Sequence, residues 1–250
     1  MIKKDSEKKS TAAQITERLK EIYPEAVCAL EYGNDPWRLL VMARLSAQCT
    51  DARVNIVSRE LFRRFPDAAS MADGDINEIE ELIRSCGLFR TKAESIKAAS
   101  AMICGEFGGK VPDNMDDLLK LPGVGRKIAN LMLGDIYGKP GIVADTHCIR
   151  ICGRFGMYDT KLKDPAKVEA IMSTIIEPNE QSAFCHRIVQ FGRDTCSARS
   201  PKCSDCHLSD LCETGRKALA PDKKKNAETA CTDSGKLKSN LRRSEIFFAA

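Results

Sequence analysis

The middle of the chain reads Leu121-Pro-Gly-Val-Gly-Arg-Lys-Ile-Ala-Asn130. One helical pattern ends just before this segment and another begins within it, so we expect a helix–hairpin–helix over about 113–138. Glycine at positions 123 and 125 permits backbone angles that are closed to other residues and lets a second backbone approach closely.

The backbone amides of this hairpin are candidates for holding an anion. They stand at the N-terminus of the second helix, where aligned peptide dipoles and unpaired N–H groups favour negative charge. We therefore predict that the hairpin holds a DNA phosphate without reading the base, through Gly123, Val124, Gly125 and Arg126. The alternative is a tight corner between two helices, in which glycine serves only a steric need.

Helical signals continue on both sides of the hairpin, from about residue 11 to residue 195. Asp35 precedes Pro36 at the start of one predicted helix, and Asp51 is placed to cap the next. No segment alternates polar and apolar residues for long enough to indicate a strand, and no repeat period recurs. The sequence therefore predicts an all-α fold.

Lys127 is the predicted nucleophile. It lies in the first turn of the second hairpin helix, beside Arg126. The positive end of the helix dipole and the like-charged neighbour both favour a neutral amine at this position. A neutral amine can attack a carbon centre and form a Schiff base. The alternative is a solvated surface lysine, which is what most helical lysines are.

Asp145 is predicted to act together with Lys127. It precedes a helix expected to start at Thr146, so it is also placed to be an N-cap. The two roles are compatible, because a capping carboxylate accepts amide hydrogen bonds that keep it ionised. An ionised carboxylate beside a sugar can stabilise an oxocarbenium-like transition state. We expect the neighbouring His147 to be structural.

Four cysteines near the C-terminal end form a candidate metal site: Cys196, Cys203, Cys206 and Cys212. The N-terminus is charged and lacks the apolar stretch of a secretory signal, so the twelve cysteines indicate a reducing compartment and argue against disulfides. Zinc and a four-iron cluster both suit four thiolates, and the spacing alone leaves these two alternatives open.

The net charge of +4 is concentrated at the end of the chain. Residues 213–250 hold nine Lys or Arg and five Asp or Glu, so residues 1–212 balance to zero. Any attraction of the folded part to DNA must therefore come from a local patch. We predict that 1–10 and the basic tail 213–250 are disordered. No apolar run is long enough to cross a membrane.

Together these motifs resemble the endonuclease III family of DNA glycosylases and AP lyases. The matching segments occur in family order: Leu45-Ser-Ala-Gln-Cys-Thr-Asp51, the hairpin that ends in Lys127, Asp145-Thr-His147 and the spaced cysteines. The resemblance covers about 11–212, and four motifs in register are far more specific than any one of them.

The resemblance implies two helical domains that flank a DNA-binding cleft. A six-helix barrel containing the hairpin would span 29–139, and an iron–sulfur cluster domain would join 11–28 to 140–212. The resemblance also implies a [4Fe–4S] cluster on the four cysteines, which decides against zinc. Basic residues near the cluster would then meet the DNA backbone, namely Arg193, Arg199 and Lys202.

The implied activity is removal of oxidised pyrimidines from double-stranded DNA, followed by cleavage at the abasic site. Lys127 would attack the sugar carbon with assistance from Asp145, and β-elimination from the imine would nick the strand on the 3′ side. Gln48 matches the residue that fills the space left by the extruded base, and Leu88 matches an intercalating wedge. The alternatives are a buried helix-capping amide for Gln48 and ordinary core packing for Leu88.

Two other functions compete with this interpretation. A mismatch glycosylase of the same fold lacks the Schiff-base lysine at the position of Lys127, and the adenine-specific kind normally adds a C-terminal recognition domain. A non-catalytic helix–hairpin–helix module would bind DNA but leave the pairing of Lys127 with Asp145 unexplained. We expect a cytoplasmic monomer that associates with the nucleoid through DNA and has no membrane partner.

Overall fold

The computed structural model describes residues 5–221. This part of the chain forms twelve α-helices and two short 3₁₀ segments, Arg84–Cys86 and Pro178–Glu180, and it contains no β-strand. The α-helices are α1 (Asp5–Ile22), α2 (Pro36–Leu45), α3 (Asp51–Arg64), α4 (Ala68–Asp73), α5 (Ile76–Ile83), α6 (Phe89–Glu106), α7 (Met115–Leu118), α8 (Arg126–Asp135), α9 (Thr146–Phe155), α10 (Pro165–Ile175), α11 (Gln181–Asp194) and α12 (Glu213–Leu219). The prediction of an all-α fold is confirmed.

Buried apolar side chains form two separate clusters. The first draws on residues 30–133 and therefore on helices α2 to α8. The second combines residues 12–19 of α1 with residues 142–212. The chain thus leaves the second cluster after α1, builds the first, and returns to the second at Ile142, just before α9. The domain boundaries at 28/29 and 139/140 stay predictions.

The barrel region contains seven helices where six were expected. The additional element is α4, a six-residue helix that begins with a reciprocal capping box between Asp67 and Ser70. Helix α7 is reduced to four residues, Met115–Leu118, and α8 runs only to Asp135. The helical parts of the hairpin are therefore shorter than the predicted 113–138.

Polar side chains cap the starts of several helices, with one difference from expectation. Asp35 accepts the amide of Arg38 at 3.0 Å and Pro36 opens α2, as predicted. Helix α3 is capped by Thr50, whose hydroxyl accepts the amide of Arg53 at 3.3 Å. The prediction that Asp51 is this cap is wrong, because Asp51 is itself the first helical residue. Its carboxylate still lies where the helix dipole favours negative charge.

The N-terminal helix begins earlier than expected, so the prediction of disorder in 1–10 is wrong for residues 5–10. Asp5 and Glu7 place negative charge in the first turn of α1, which the helix dipole favours. Ala12 and Ile15 are buried one to two turns later and anchor this end of the helix. Residues 1–4 lie outside the described part.

The basic tail also begins with ordered structure, and the prediction of disorder is wrong for 213–219. Helix α12 packs against α9. Its N-cap is Cys212, whose sulfur accepts the amide of Gly215 at 3.3 Å. Glu213 packs over Gly156, where an added Cβ would lie 2.6 Å from the Glu213 carboxylate. The prediction for 222–250 concerns residues outside the described part.

Within residues 5–221, no helix has the length and apolar composition needed to cross a membrane.

Candidate active site

A cleft of about 1190 Å³ lies where the two clusters of buried residues meet. It is lined from the barrel side by the loop between α2 and α3 and by the start of α8, and from the other side by α11 and the segment before α9. The residues that matter for the chemistry are Cys49, Asp51, Gly125, Lys127, Asp145, His147, His186 and Arg193.

Lys127 lies in the first turn of α8 and is exposed to the cleft. Within residues 5–221 its amine has no hydrogen bond and no ion pair. Its positive charge nevertheless contributes to lowering the pKa of Asp145, so the two groups lie within electrostatic reach of each other. The amine is therefore free to meet a ligand in the cleft.

Asp145 combines both of its predicted roles in one geometry. It is the N-cap of α9, and its Oδ1 accepts the amide of Cys148 at 2.7 Å. Its Oδ2 lies 3.4 Å from Nδ1 of His147. Burial raises the pKa of this carboxyl, but the hydrogen bonds from His147 and Cys148 and the charge of Lys127 outweigh it, and the net pKa is lowered. The carboxylate is thus held ionised at the cleft.

The hairpin between α7 and α8 presents the backbone of Gly125 to open space. Gly123 has a φ of +78°, which favours glycine. An added Cβ at Gly125 would meet no atom within 4 Å, so an anion has room to approach this N-terminus. The Val124 side chain is buried, which leaves only its backbone for a ligand.

Arg126 is engaged within the protein. Its guanidinium donates to both carboxylate oxygens of Glu169 in α10, at 2.9 and 2.5 Å. Burial acts to raise the pKa of Glu169, but the hydrogen bonds and charge of Arg126 lower it overall. This ion pair connects the hairpin to the second cluster of buried residues, and it leaves the Arg126 side chain half exposed.

Gln48 and Leu88 are both exposed, and both have left-handed backbone conformations. Their φ angles are +55° and +47°, and Leu88 is 59% exposed. The alternatives of a buried amide for Gln48 and core packing for Leu88 are therefore wrong. A non-glycine residue held in this region costs about 1–3 kcal/mol, and such residues cluster at functional sites. Both conformations are consistent with an intermolecular role.

The four predicted metal ligands surround one small cavity, together with Phe155 and Phe191: Cys196, Cys203, Cys206 and Cys212. The amide of Leu208 donates to the Cys206 sulfur at 3.4 Å, and the amide of Gly215 donates to the Cys212 sulfur at 3.3 Å. Amide hydrogen bonds of this kind accompany sulfur ligands of iron–sulfur clusters. Burial raises the pKa of both thiols, so a bound metal is needed to hold them as thiolates.

The four thiols around this cavity provide the donor set of a metal centre. Among the described residues, no three His, Cys, Asp or Glu side chains are grouped closely enough to hold a metal ion by themselves. Four cysteine sulfurs suit both a tetrahedral zinc ion and an iron–sulfur cluster.

Sequence reasoning missed the cations that hold the cysteine loop, which we define as residues 195–212. Arg154 donates to the sulfur of Cys196 at 3.2 Å and to the carbonyls of Ser197 and Ala198 at 2.7 and 2.8 Å. Arg150 donates to the Cys196 carbonyl at 3.1 Å. The sequence does show that these two arginines, four residues apart, lie on one face of α9. It does not show which groups accept their hydrogen bonds.

A second missed group joins α8 to α11 across the cleft. The buried Asp135 accepts hydrogen bonds at 2.8 Å from the Ser182 hydroxyl and from Nε2 of His186. Gly134 lies against Ser182, where an added Cβ would come within 2.7 Å. This contact brings His186 to the cleft wall and fixes the spacing of the two helices.

Comparison with known proteins shows which family this chain resembles. Residues 41–178 match the HhH-GPD superfamily base excision DNA repair protein. The chain is similar to endonuclease III of Synechocystis sp., with 44% identity over 217 residues, which are 86% of this chain and 98% of the relative. It is also similar to endonuclease III of Escherichia coli, with 34% identity over 208 residues, which are 82% of this chain and 96% of the relative.

Solved structures of endonuclease III also match this chain. A trapped endonuclease III–DNA covalent intermediate superposes with a TM-score of 0.79 at 38% identity, covering 84% of this chain and 98% of that one. A non-covalent endonuclease III–DNA complex matches with the same values. A thermostable thymine-DNA glycosylase has a TM-score of 0.76 at 21% identity over 83% of this chain and 98% of its own, which is a likeness of fold alone.

Proposed function

The chain belongs to the HhH-GPD superfamily of base excision DNA repair proteins and, within it, to the endonuclease III family, and we propose that its substrate is duplex DNA carrying oxidised pyrimidines or abasic sites. It is a DNA glycosylase and AP lyase. One observation carries the proposed mechanism: the unpaired amine of Lys127 and the ionised carboxylate of Asp145 face the same cleft within electrostatic reach.

In the proposed reaction, the Lys127 ammonium gives up a proton to water, and the resulting amine attacks the anomeric carbon of the damaged nucleotide. The bond from that carbon to the base breaks, its electron pair leaves with the base, and the base takes up a proton. Asp145 stabilises the positive charge that develops on the sugar. Loss of the amine proton and opening of the sugar ring then give an imine between Lys127 and the sugar.

The imine permits strand cleavage. It acidifies the neighbouring sugar carbon, which loses a proton, and the electron pair left behind expels the 3′ phosphate. Water then hydrolyses the imine and returns the free amine of Lys127. This sequence accounts for a nick on the 3′ side of the abasic site.

The target sugar carbon cannot be reached inside the base stack, so the nucleotide must be extruded. We propose that Leu88 enters the stack as a wedge and that Gln48 fills the space left by the extruded base. The hairpin amides of 123–126 would hold a phosphate of the same DNA, as the open space before Gly125 allows. The exposure of Gln48 and Leu88 supports their assignment.

We propose that the four cysteines hold a [4Fe–4S] cluster, which supplies a covalent anchor for the cysteine loop. The loop then presents Arg199 and Lys202, both exposed, to the DNA backbone. Arg193 lines the cleft, where it pairs with Asp51 at 2.7 Å. The monomeric state and the location at the nucleoid remain predictions.

The mechanism is tested by trapping the imine. The protein is incubated with a duplex containing thymine glycol, borohydride is added, and the covalent protein–DNA adduct is measured for the parent and for Lys127→Gln. Lys120→Gln is the matched control, because Lys120 is an exposed lysine on the other side of the hairpin that pairs with Asp117. We expect an adduct with the parent and the control and none with Lys127→Gln.

Any other result of the trapping experiment would change the proposal. An adduct that survives Lys127→Gln would keep the enzyme class and move the nucleophile to another amine. Base release without an adduct from a folded, DNA-binding parent would indicate a monofunctional glycosylase. Binding without base release would leave a non-catalytic DNA-binding module.

A further inference from the structure

Lys92 is a buried cation that the proposed mechanism does not use. It lies early in α6, and its exposed fraction is 0%. Within residues 5–221 no carboxylate pairs with its ammonium, which instead donates to the carbonyls of Leu45 and Cys86, both at 2.8 Å. Removing an ammonium from water is costly unless its donors are satisfied, so the side chain and these two carbonyls depend on one another.

The two carbonyls lie a few residues before Gln48 and Leu88, which are both exposed and left-handed. Leu45 ends α2, three residues before Gln48, and Cys86 ends the 3₁₀ segment, two residues before Leu88. The two loops are far apart in sequence, and Lys92 joins them through one buried group. Their separation is therefore set by the length of two hydrogen bonds.

The hairpin is joined to the same part of α6. The Ser95 hydroxyl donates to the Lys92 carbonyl at 2.9 Å and accepts from Nε of Arg44 at 2.8 Å. Gly123 lies against this pair, since an added Cβ would come within 2.6 Å of the Arg44 Nε and 2.8 Å of the Ser95 Cβ. Two of the three segments proposed to meet DNA are thus hydrogen-bonded to Lys92 of α6, and the hairpin packs against Ser95 on the same helix.

We propose that Lys92 is a positioning residue for base extrusion: by bridging the carbonyls of Leu45 and Cys86 it holds Gln48 and Leu88 at the spacing at which both enter the duplex together. Lys92 touches neither the DNA nor the reacting atoms. The inference depends on the proposed roles of Gln48 and Leu88, and it adds the buried group through which these two residues act as one unit.

The test uses Lys92→Met, which keeps a long side chain and removes the donors. The matched control is Lys97→Met, because Lys97 lies on the same helix and also donates to two carbonyls, those of Ala72 and Gly74 at 2.5 and 2.6 Å. Neither of those carbonyls adjoins Gln48 or Leu88. Activity is measured on a thymine glycol duplex, and imine trapping on a single-stranded abasic oligonucleotide, which requires no extrusion.

We expect Lys92→Met to lower kcat/KM on the duplex roughly tenfold, the loss typical of hydrogen bonds from a charged donor. Trapping on the single strand should stay within about twofold of the parent. 2-Aminopurine placed opposite the lesion should show weaker unstacking with Lys92→Met. The control should stay within about twofold of the parent in all three measurements.

A double-mutant cycle separates positioning from general support of the fold. In a Gln48→Ala, Leu88→Ala background, Lys92→Met should cause less than about twofold further loss, because the residues through which it acts are gone. Persistence of the full loss in that background would overturn the proposal. Equal losses with Lys97→Met, or an equal loss on the single strand, would overturn it as well.

Folding and parent activity are checked in the same series. If Lys92→Met does not fold, Lys92→Gln, which keeps an amide donor, takes its place, and loss of the fold in both variants would mean that Lys92 supports the barrel rather than the loops. An inactive parent would contradict the proposed function. An active parent with Lys92→Met unchanged would contradict only the positioning role.

Discussion

The two walls of the cleft are held by different means. On the barrel wall, the loops before α3 and α6 are joined by the ammonium of Lys92, which donates to two carbonyls. Behind the opposite wall, whose lining residues end at Arg193, Arg154 also donates to two carbonyls, those of Ser197 and Ala198, and to a cysteine sulfur. In both places a cation donates hydrogen bonds to two backbone carbonyls, but the residues packed around the two cations differ.

The difference lies in how much apolar core supports each cation. Lys92 lies among the buried side chains of a seven-helix region. The cysteine loop has no helix between α11 and α12, and apart from its cysteines the apolar side chain that it buries fully is Leu208. Ordering a residue costs about 1–2 kcal/mol of backbone entropy, and so little burial cannot offset that cost over a loop of this length. We therefore propose that the cysteine loop depends on a bound group for its order and that the barrel wall does not.

The largest expected effect comes from removing one cluster ligand. Cys203→Ser should lose the visible absorbance of an iron–sulfur cluster, and the free energy of unfolding should fall by several kcal/mol. DNA binding should weaken by more than about tenfold, because the loop no longer presents its basic residues. Absorbance, thermal melting and fluorescence anisotropy measure these changes. Cys104→Ser controls for loss of a thiol, because Cys104 is a half-buried free cysteine on α6.

Unchanged stability and affinity in a colourless Cys203→Ser protein would contradict the difference between the two walls. An iron content near zero with stoichiometric zinc in the parent would replace the proposed cluster with a single ion.

The next largest effect is expected at Asp145, where the catalytic role of the carboxylate can be separated from its role as the N-cap of α9. Helix α9 carries Arg154 at its other end. Asp145→Asn should keep the cap, since Asn caps as well as Asp, and the cluster absorbance should not change. Base release should fall about 10²–10³-fold, as when one electrostatic contact to a transition state is lost. Single-turnover rates on the thymine glycol duplex measure this.

The pH dependence of stability gives Asp145 a second test. The pKa of its carboxyl is lowered in the folded protein, so its ionised form contributes stability above the unfolded value of about 3.9, and that contribution is lost as the pH falls through the folded value. The difference in unfolding free energy between parent and Asp145→Asn should be constant above about pH 5 and shrink below pH 4. A difference that grows towards low pH would show that the carboxyl is not held ionised.

The smallest expected effect concerns Arg154, the cation that is compared with Lys92. Arg154→Lys keeps the charge and loses the planar set of donors, so the cysteine loop should lose about 1 kcal/mol of stability while the cluster holds it in place. Cluster release to a chelator should quicken severalfold. Arg18→Lys is the control, because Arg18 also holds the loop, through Asp210 and the His207 carbonyl, at an exposed position. It should change release by less than about twofold.

If Arg154→Lys matched Cys203→Ser in its effect, the arginine rather than the cluster would be the main support of this wall.

Much of the fold follows from local signals. Asp35 before Pro36, and Asp145 before Thr146, start helices where the sequence predicts, because capping depends on atoms a few residues apart. The helix at 213–219 was missed because a distant contact, the packing of α12 on α9, stabilises it. Residues 5–10 are largely exposed and extend α1 through a local signal, the acidic side chains of Asp5 and Glu7 in its first turn, which the sequence analysis did not use.

The sequence by itself determined the all-α class, the glycine hairpin, the lysine at the start of α8 and the four spaced cysteines. Each of these depends on residue type and short spacing. The tertiary structure decided that Lys127 and Asp145 face one cleft, that Arg126 is taken up by Glu169, and that Lys92 and Arg154 fasten loops far from them in the chain. No local pattern contains these pairings, because a buried donor is matched to its carbonyl only when helices pack.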